Sequence, residues 1–323
     1  MSSSSSAWDN ALIANIAFRP RTCSAATSIG RWTDSSFPAA DGTLLAYRLY
    51  TAPETFSPNA RNVCVLLYFH SNAELCTDLE CHVERFFGCG FSAIVCPEFR
   101  GYAWSEGRPS LRMLCSDAEA VMDALPKIMT SAGLKDIETK LVLHGRSLGT
   151  ACAIHLAAEY KLAISALIVE SGVVELLKLP MVRKLGAMMP QILFDLRSEP
   201  APLDTLHDMC NVAAPTLIIH GDKDEMSPVD QARTAYQVCG SGVKKLAVFP
   251  GVGHNDLRSK AREEYFDAIK SLCQALLAGN EIVFSPSHQA YSACFFPDDV
   301  FSMLTCYPGP GRCCHDDDAE LSA

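Results

Sequence analysis

Lys140-Leu141-Val142-Leu143-His144-Gly145-Arg146-Ser147-Leu148-Gly149-Thr150-Ala151-Cys152-Ala153-Ile154-His155-Leu156-Ala157-Ala158 reads as a strand, a sharp turn and a helix. An apolar run ends at Leu143, Gly-x-Ser-x-Gly spans 145–149, and a small-residue helical pattern follows. A serine held on such a turn is lifted out of the sheet, with its hydroxyl exposed beside a helix N-terminus. Glycines two before and two after it are needed because a Cβ there would crowd the neighbouring backbone. The positive end of the helix favours the negative charge that an acyl-transfer transition state develops. Ser147 is thus the candidate nucleophile.

Outward from this turn, short apolar strands alternate with helical patterns from Leu44 onward. Strands are expected at 44–50, 63–69, 92–96, 140–144, 165–170, 216–220 and 244–249. Helices are expected near 74–87, 110–131, 148–160, 228–238 and 257–278. The alternation predicts an α/β fold, a mostly parallel sheet wrapped by helices. Val63-Cys64-Val65-Leu66-Leu67-Tyr68-Phe69 is apolar throughout, as expected of a strand covered on both faces. At 323 residues, with 49% hydrophobic residues, the chain has enough apolar material for a sizeable core. The net charge of −10 and the lack of a basic block argue against nucleic acid as a partner.

Residues 1–40, rich in Ser, Thr, Pro and Arg, read as an N-terminal arm. Trp8, Leu12, Ile13, Ile16 and Ala17 repeat there at helical spacing, which fits a helix docked on the domain or one lying against a membrane. Residues 41–280 form the domain. The interval 172–212 breaks its rhythm with Leu176, Leu177, Leu179, Met181 and Leu185 among prolines 180, 190, 200 and 202. It is expected to be a short helical lid insert over a pocket for an acyl chain, or a pair of helices covering the sheet edge. The tail 281–323 is expected to be poorly ordered. Fifteen cysteines, scattered through strands and helices without metal-ligand spacing, read as buried thiols in a reducing compartment. With no secretory signal or membrane-spanning run visible, the expected location is cytoplasmic, with peripheral membrane contact as a candidate.

A serine nucleophile needs a base within hydrogen-bond reach and an acid to orient that base. Downstream of Ser147 stand His155, His207, His220, His254, His288 and His315. His155 lies within the helix after the turn, His207 in the insert, His220 at a strand end in the core, and the last two in the tail. His254 follows strand 244–249 in a glycine-rich loop, where a base can swing onto the serine. The acid is expected after strand 216–220, where Asp222, Asp224 and Glu225 compete. Glu170, ending the previous strand, is a further candidate. Asp222 next to Gly221 suits a turn, and Glu225 suits the start of the following helix. Two backbone N–H groups should meet the oxyanion: Leu148 after the nucleophile, and Asn72, with Ala73 as its alternative.

With these residues in place, the chain resembles the α/β-hydrolase-domain serine hydrolases, in the branch of protein depalmitoylases and their Bem-type relatives. His70-Ser71-Asn72-Ala73 is similar to the family's oxyanion loop, and the stretch 99–110 to its Arg-Gly-Tyr-Gly-x-Ser-x-Gly-x-Pro-Ser segment. His144 to Thr150 is similar to its nucleophile elbow, and Gly221-Asp222-Lys223-Asp224 and Gly253-His254-Asn255-Asp256 to its acid and histidine loops. The resemblance implies Asp224 as the acid, an eight-stranded sheet, and structural roles for Arg100 and Tyr102. It implies a serine hydrolase cleaving an ester or thioester of an acylated small molecule, lipid or protein, such as an acyl-protein thioesterase, without cofactor or metal. A lipid esterase or lysophospholipase is the alternative, and a non-catalytic binding protein a further one. Ser71 and Ala103 stand where the family has glycine, and a Cβ at 71 is expected to narrow the oxyanion loop. The depalmitoylases' N-terminal cysteine cluster has no counterpart before Cys23.

Overall fold

The computed structural model describes residues 6–26, 31–53, 62–280 and 282. The expectation for the tail 281–323, with His288 and His315, falls outside these apart from residue 282.

Among the described residues, eight strands form one sheet: β1 (Trp32–Pro38), β2 (Leu44–Thr51), β3 (Asn62–Phe69), β4 (Phe91–Pro97), β5 (Glu138–Arg146), β6 (Ile164–Glu170), β7 (Thr216–Gly221) and β8 (Lys244–Phe249). Their order is β1-β2-β4-β3-β5-β6-β7-β8, with the β1–β2 and β2–β4 pairs antiparallel and the pairs from β4 through β3 to β8 parallel. The helices are α1 (Ala11–Ala17), α2 (Val83–Gly88), α3 (Leu114–Ser131), α4 (Gly149–Glu159), α5 (Pro180–Met188), α6 (Pro190–Ser198), α7 (Thr205–Asn211), α8 (Asp230–Val238), α9 (Leu257–Lys260) and α10 (Arg262–Ala278).

The strand-like period of two sorts each central strand between two cores. In β3, Val63, Val65, Leu67 and Phe69 face one apolar cluster, while Cys64, Leu66 and Tyr68 face the other. The first cluster is closed by α3, α4, α7 and α8 through Leu114, Val121, Cys152, Leu156, Met209 and Ala232. The second is closed by α2, α9 and α10. On α10 the stripe Tyr265, Ile269, Leu272 and Leu276 recurs at helical spacing, so one face packs on the sheet while the other stays wet. Cys64, Cys76, Cys89, Cys96, Cys152, Cys239 and Cys273 are buried free thiols. They fill these cores as small hydrophobic residues.

Two boundaries differ from the sequence expectation. The eighth strand, β1, comes from the stretch read as an arm, so residues 32–38 belong to the sheet. Its Ser and Thr residues hid it because an edge strand buries little: it pairs with β2 alone. Its Asp34 holds Arg48 of β2 in a buried bidentate pair at 2.6 and 2.8 Å. The insert is also shorter than 172–212. Helix α7 packs on α4 with Met209 fully buried, and so belongs to the helical layer of the domain.

Candidate active site

The turn at 145–149 joins β5 to α4, and its geometry explains its composition. Ser147 has a φ of +51°, the left-handed region that side chains rarely adopt. Its N–H donates to the Glu170 carbonyl at 2.9 Å, and its carbonyl accepts from Thr150 N at 3.0 Å. A Cβ on Gly145 would come within 2.5 Å of Thr150 Cα, and one on Gly149 within 2.2 Å of the Phe69 carbonyl oxygen. Only glycine lets the strand and helix approach this closely while the serine is held out.

His254, on the loop after β8, accepts the Ser147 hydroxyl at Nε2 over 3.0 Å. Its Nδ1 donates to Asp224 Oδ2 at 2.7 Å. Because the carboxylate accepts only, Nδ1 carries the proton and Nε2 is left as the base. Asp224 is buried, and its Oδ1 accepts from the N–H groups of Met226 and Ser227 at 3.0 and 2.8 Å. His220 Nε2 stands 3.3 Å from Oδ2, with its shorter bond, 2.7 Å, going to the Ser227 carbonyl. Burial alone would raise the Asp224 pKa, but the bonds from His220, His254 and Ser227 outweigh it and hold the carboxyl well below its usual range.

Above Ser147 lies a small apolar pocket of about 80 Å³, partly open to solvent. Trp8, Ile13, Ile16 and Ala17 line it from the N-terminal segment, and Leu176, Leu177, Val182, Leu185 and Leu196 from the stretch around α5 and α6. Asn72, Leu148, Ser147 and His254 form its floor. The N–H groups of Leu148 and Asn72 make no hydrogen bond among the described residues. Ala73 is exposed, outside the lining, and its carbonyl takes Arg21 at 3.3 Å. The Asn72 carbonyl is pinned by the Tyr102 hydroxyl at 2.6 Å and Arg19 N at 3.0 Å.

No protein-family model matches the chain. Protein bem46 of Schizosaccharomyces pombe is 29% identical over 235 residues, 72% of this chain and 73% of that protein. The α/β-hydrolase domain-containing protein 17C of Xenopus laevis is 31% identical over 218 residues, 66% of this chain and 62% of that one. An uncharacterised membrane protein of Saccharomyces cerevisiae is 32% identical over 177 residues, 53% of this chain and 57% of the other. The match thus spans less than two thirds of the frog and budding-yeast proteins. Among solved structures, an esterase of Pyrococcus furiosus superposes with a TM-score of 0.59 at 15% identity, covering 80% of this chain and 99% of that one. A monoacylglycerol lipase of Paleococcus ferrophilus gives 0.52 at 17% identity, with 72% and 98% covered. The chain has the α/β-hydrolase fold and is similar in sequence to bem46 and the α/β-hydrolase domain-containing proteins 17.

Within this α/β-hydrolase domain the competing acids take other places. Asp222 Oδ1 accepts from Gly251 N at 2.6 Å, tying the acid and histidine loops together. Glu225 is exposed. Glu170 is buried behind the elbow, where Oε2 accepts from His144, Arg258 and Tyr265 at 2.9, 2.8 and 2.8 Å. Burial opposes its ionisation, yet Arg258, His144 and Arg146 hold its pKa well below the usual carboxylate range. His155 points away from Ser147, to Glu119 and Asp208. His207, on α7, bonds Asn211. Arg100 is engaged by Asp41, Thr43 and Asp117, a structural clamp.

Two findings lay beyond the sequence reading. Arg146, buried before the nucleophile, reaches Glu170 at 3.1 Å, Glu74, Ser71 Oγ at 3.3 Å, the His254 carbonyl at 3.4 Å and Asn255 Oδ1 at 2.8 Å. Only the x of Gly-x-Ser-x-Gly marks it in sequence, and that position carries no chemical signal. Ser71 likewise turns its hydroxyl to Arg146 and does not line the pocket, so the expected narrowing by its side chain is not seen there. The other departure, Ala103, sits at φ +48° and bonds the N-terminal segment through Arg21. Among the described residues no group of His, Cys, Asp and Glu is placed to hold a metal ion.

Proposed function

We propose that the protein is a serine hydrolase that cleaves a carboxylic ester or thioester of an apolar acyl group through an acyl-enzyme. The observation that carries this reading is His254 bridging Ser147 Oγ and Asp224 at 3.0 and 2.7 Å on the floor of an apolar pocket. Ser147 Oγ attacks the carbonyl carbon while its proton passes to His254 Nε2. Asp224 holds the imidazole in the needed tautomer and stabilises the imidazolium. The N–H groups of Leu148 and Asn72 receive the oxyanion. As the tetrahedral centre collapses, the bond to the leaving oxygen or sulfur breaks and His254 returns the proton to it. Water, deprotonated by His254, then attacks the acyl-enzyme and releases the carboxylic acid.

The pocket supports a substrate with a hydrocarbon chain, because its walls offer apolar contact and almost no polar partner. The likeness of segments 70–73, 99–110 and 144–150 to the depalmitoylase branch favours an acyl thioester carried on a protein. An acyl ester of a small lipid presents the same chain to the same walls and is the second reading. The stretch around α5 and α6 acts as a lid in both.

Labelling with a fluorophosphonate probe tests the reaction class. Wild type should label and Ser147→Ala should not; equal labelling, or none in either, overturns the reading and leaves a binding protein. Comparing kcat/KM for acyl esters and thioesters of matched chain length separates the two substrates.

A further inference from the structure

Helices α5 and α6 have two unlike faces. Inward, Val182, Leu185 and Leu196 line the pocket, and Gly186 lies so close to α6 that a Cβ there would be 2.4 Å from Leu193 Cδ2. Outward on α5, Lys184 and Met188 share a face four residues apart, while Met181 lies at the pocket lining. On α6, Phe194 and Arg197 share a face three apart, with Met189 at the junction. Met188 is 74% exposed and Phe194 66%, large apolar side chains left in water. Met189 at the junction is exposed too, and Met181 and Met226, which line the pocket, are partly exposed at its mouth. Most of the exposed large hydrophobic residues among those described therefore gather at one place, the roof of the pocket.

The charge of this face is opposite to that of the chain. From 180 to 198 the cations Arg183, Lys184 and Arg197 stand against one carboxylate, Asp195, in a chain of net charge −10. Asp195 is engaged by Gln191 at 2.7 Å. The nearby pair Lys178–Glu175, at 2.6 Å, leaves Arg183, Lys184 and Arg197 without an ion pair among the described residues. Exposed Met and Phe flanked by free cations form a surface suited to a bilayer interface. Apolar side chains enter the acyl boundary while the long basic ones reach the headgroups. The segment 8–17, read from sequence as a candidate for membrane contact, is not such a surface: Trp8 and Ile13 are buried and turned into the pocket.

We propose that the outer face of α5 and α6 docks on an anionic lipid bilayer, so that the pocket opens at the membrane. Which acyl group then enters rests on the proposed hydrolase; the docking itself does not require Ser147. An acyl chain leaving the bilayer there passes from lipid to an apolar wall with little exposure to water.

The test is co-sedimentation of the full chain, as Ser147→Ala, with vesicles of phosphatidylcholine alone or with about 30 mole per cent phosphatidylserine, the anionic arm. Binding should favour the anionic vesicles and weaken with salt. The double variants Met188→Glu with Phe194→Glu, and Arg183→Glu with Lys184→Glu, should each lower affinity by about tenfold or more, since one cation near such a surface is worth about fivefold. With Ser147 restored, both should hydrolyse a soluble short-chain ester as wild type does, which shows the fold and site intact. Absent binding, equal binding to both vesicles, binding unmoved by the substitutions, or self-association lost in the variants without vesicle binding would each overturn the proposal. Vesicle binding without any ester hydrolysis would instead support the docking and count against the hydrolase reading alone.

Discussion

Arg146, the residue before Ser147, donates from Nη2 to Oδ1 of Asn255, the residue after His254, at 2.8 Å. The same nitrogen meets the His254 carbonyl at 3.4 Å. One guanidinium thus joins the two loops that must meet for proton transfer, and it is anchored by Glu170 and Glu74 behind them. Burial would raise the Glu74 pKa, but Arg146 and Arg258 hold it down at about 2, so the anchor is charged at neutral pH. Arg146→Met should lower kcat on a soluble ester by about 100-fold with KM little changed, because a small misplacement of a base is that costly. It should also lower stability by about 3 kcal/mol, as expected when a buried pair loses one partner. Arg146→Lys keeps the charge but lacks the fork, and should recover stability more than kcat. Steady-state kinetics beside denaturant melts check this.

Ser71 departs from the glycine expected by resemblance, yet its hydroxyl serves Arg146 and stays out of the pocket. Ser71→Gly should therefore leave kcat/KM no higher and reduce stability by about 1 kcal/mol, the worth of one buried hydrogen bond. A marked gain in kcat/KM would show that the side chain does crowd the oxyanion.

Gly149 faces the Phe69 carbonyl with no space for a methyl group, since an added Cβ would come 2.2 Å from that oxygen. Gly149→Ala should push α4 from β3, at a cost of about 3 kcal/mol, the upper range for overpacking. Fluorophosphonate labelling should fall with it, because Leu148 N–H moves with the helix.

Glu170→Gln discriminates a structural carboxylate from an acid of the triad. It leaves Arg258 and Arg146 buried with less counter-charge, so stability should fall by about 3 kcal/mol or more. Labelling per folded molecule should persist, whereas Asp224→Asn should cost about 10⁴ in kcat while folding normally.

His155 bridges α7 and α3, with Nδ1 3.2 Å from Asp208 and Nε2 2.9 Å from Glu119. The bonds with Asp208, Cys115 and Glu119 outweigh burial and raise its pKa to about 11. A raised histidine pKa stabilises fully below the unfolded value of about 6.5 and progressively less as pH climbs toward the folded one. His155→Gln should thus cost about 2 kcal/mol near pH 6, the scale of a charge-assisted bond. The difference in Tm between wild type and variant should shrink steadily between pH 7 and 10.

Sequence periodicity made the parallel strands and their helices legible, since β3 to β7 and α4 are apolar enough to announce two-sided burial, and β8 follows them as a half-buried edge strand. It missed β1, whose serines and threonines lie on a sheet edge, and it set α7 within the lid. The elbow was legible because Gly145 and Gly149 answer a local steric demand. The acid was less so: Asp222, Asp224 and Glu225 lie within four residues, and local chemistry fits all three.

By itself, then, the sequence determined the strand–turn–helix at Ser147 and the order in which serine, acidic and histidine loops follow one another. Those features depend on neighbours a few residues away. The tertiary structure alone decided that Asp224 faces His254, that Trp8 and Ile13 wall the pocket, that Arg146 ties both loops, and that Met188 and Phe194 are left outside. Each joins groups tens to more than a hundred residues apart, or exposes a face no partner covers. Such outcomes follow from how sheet and helices pack, which local spacing does not encode.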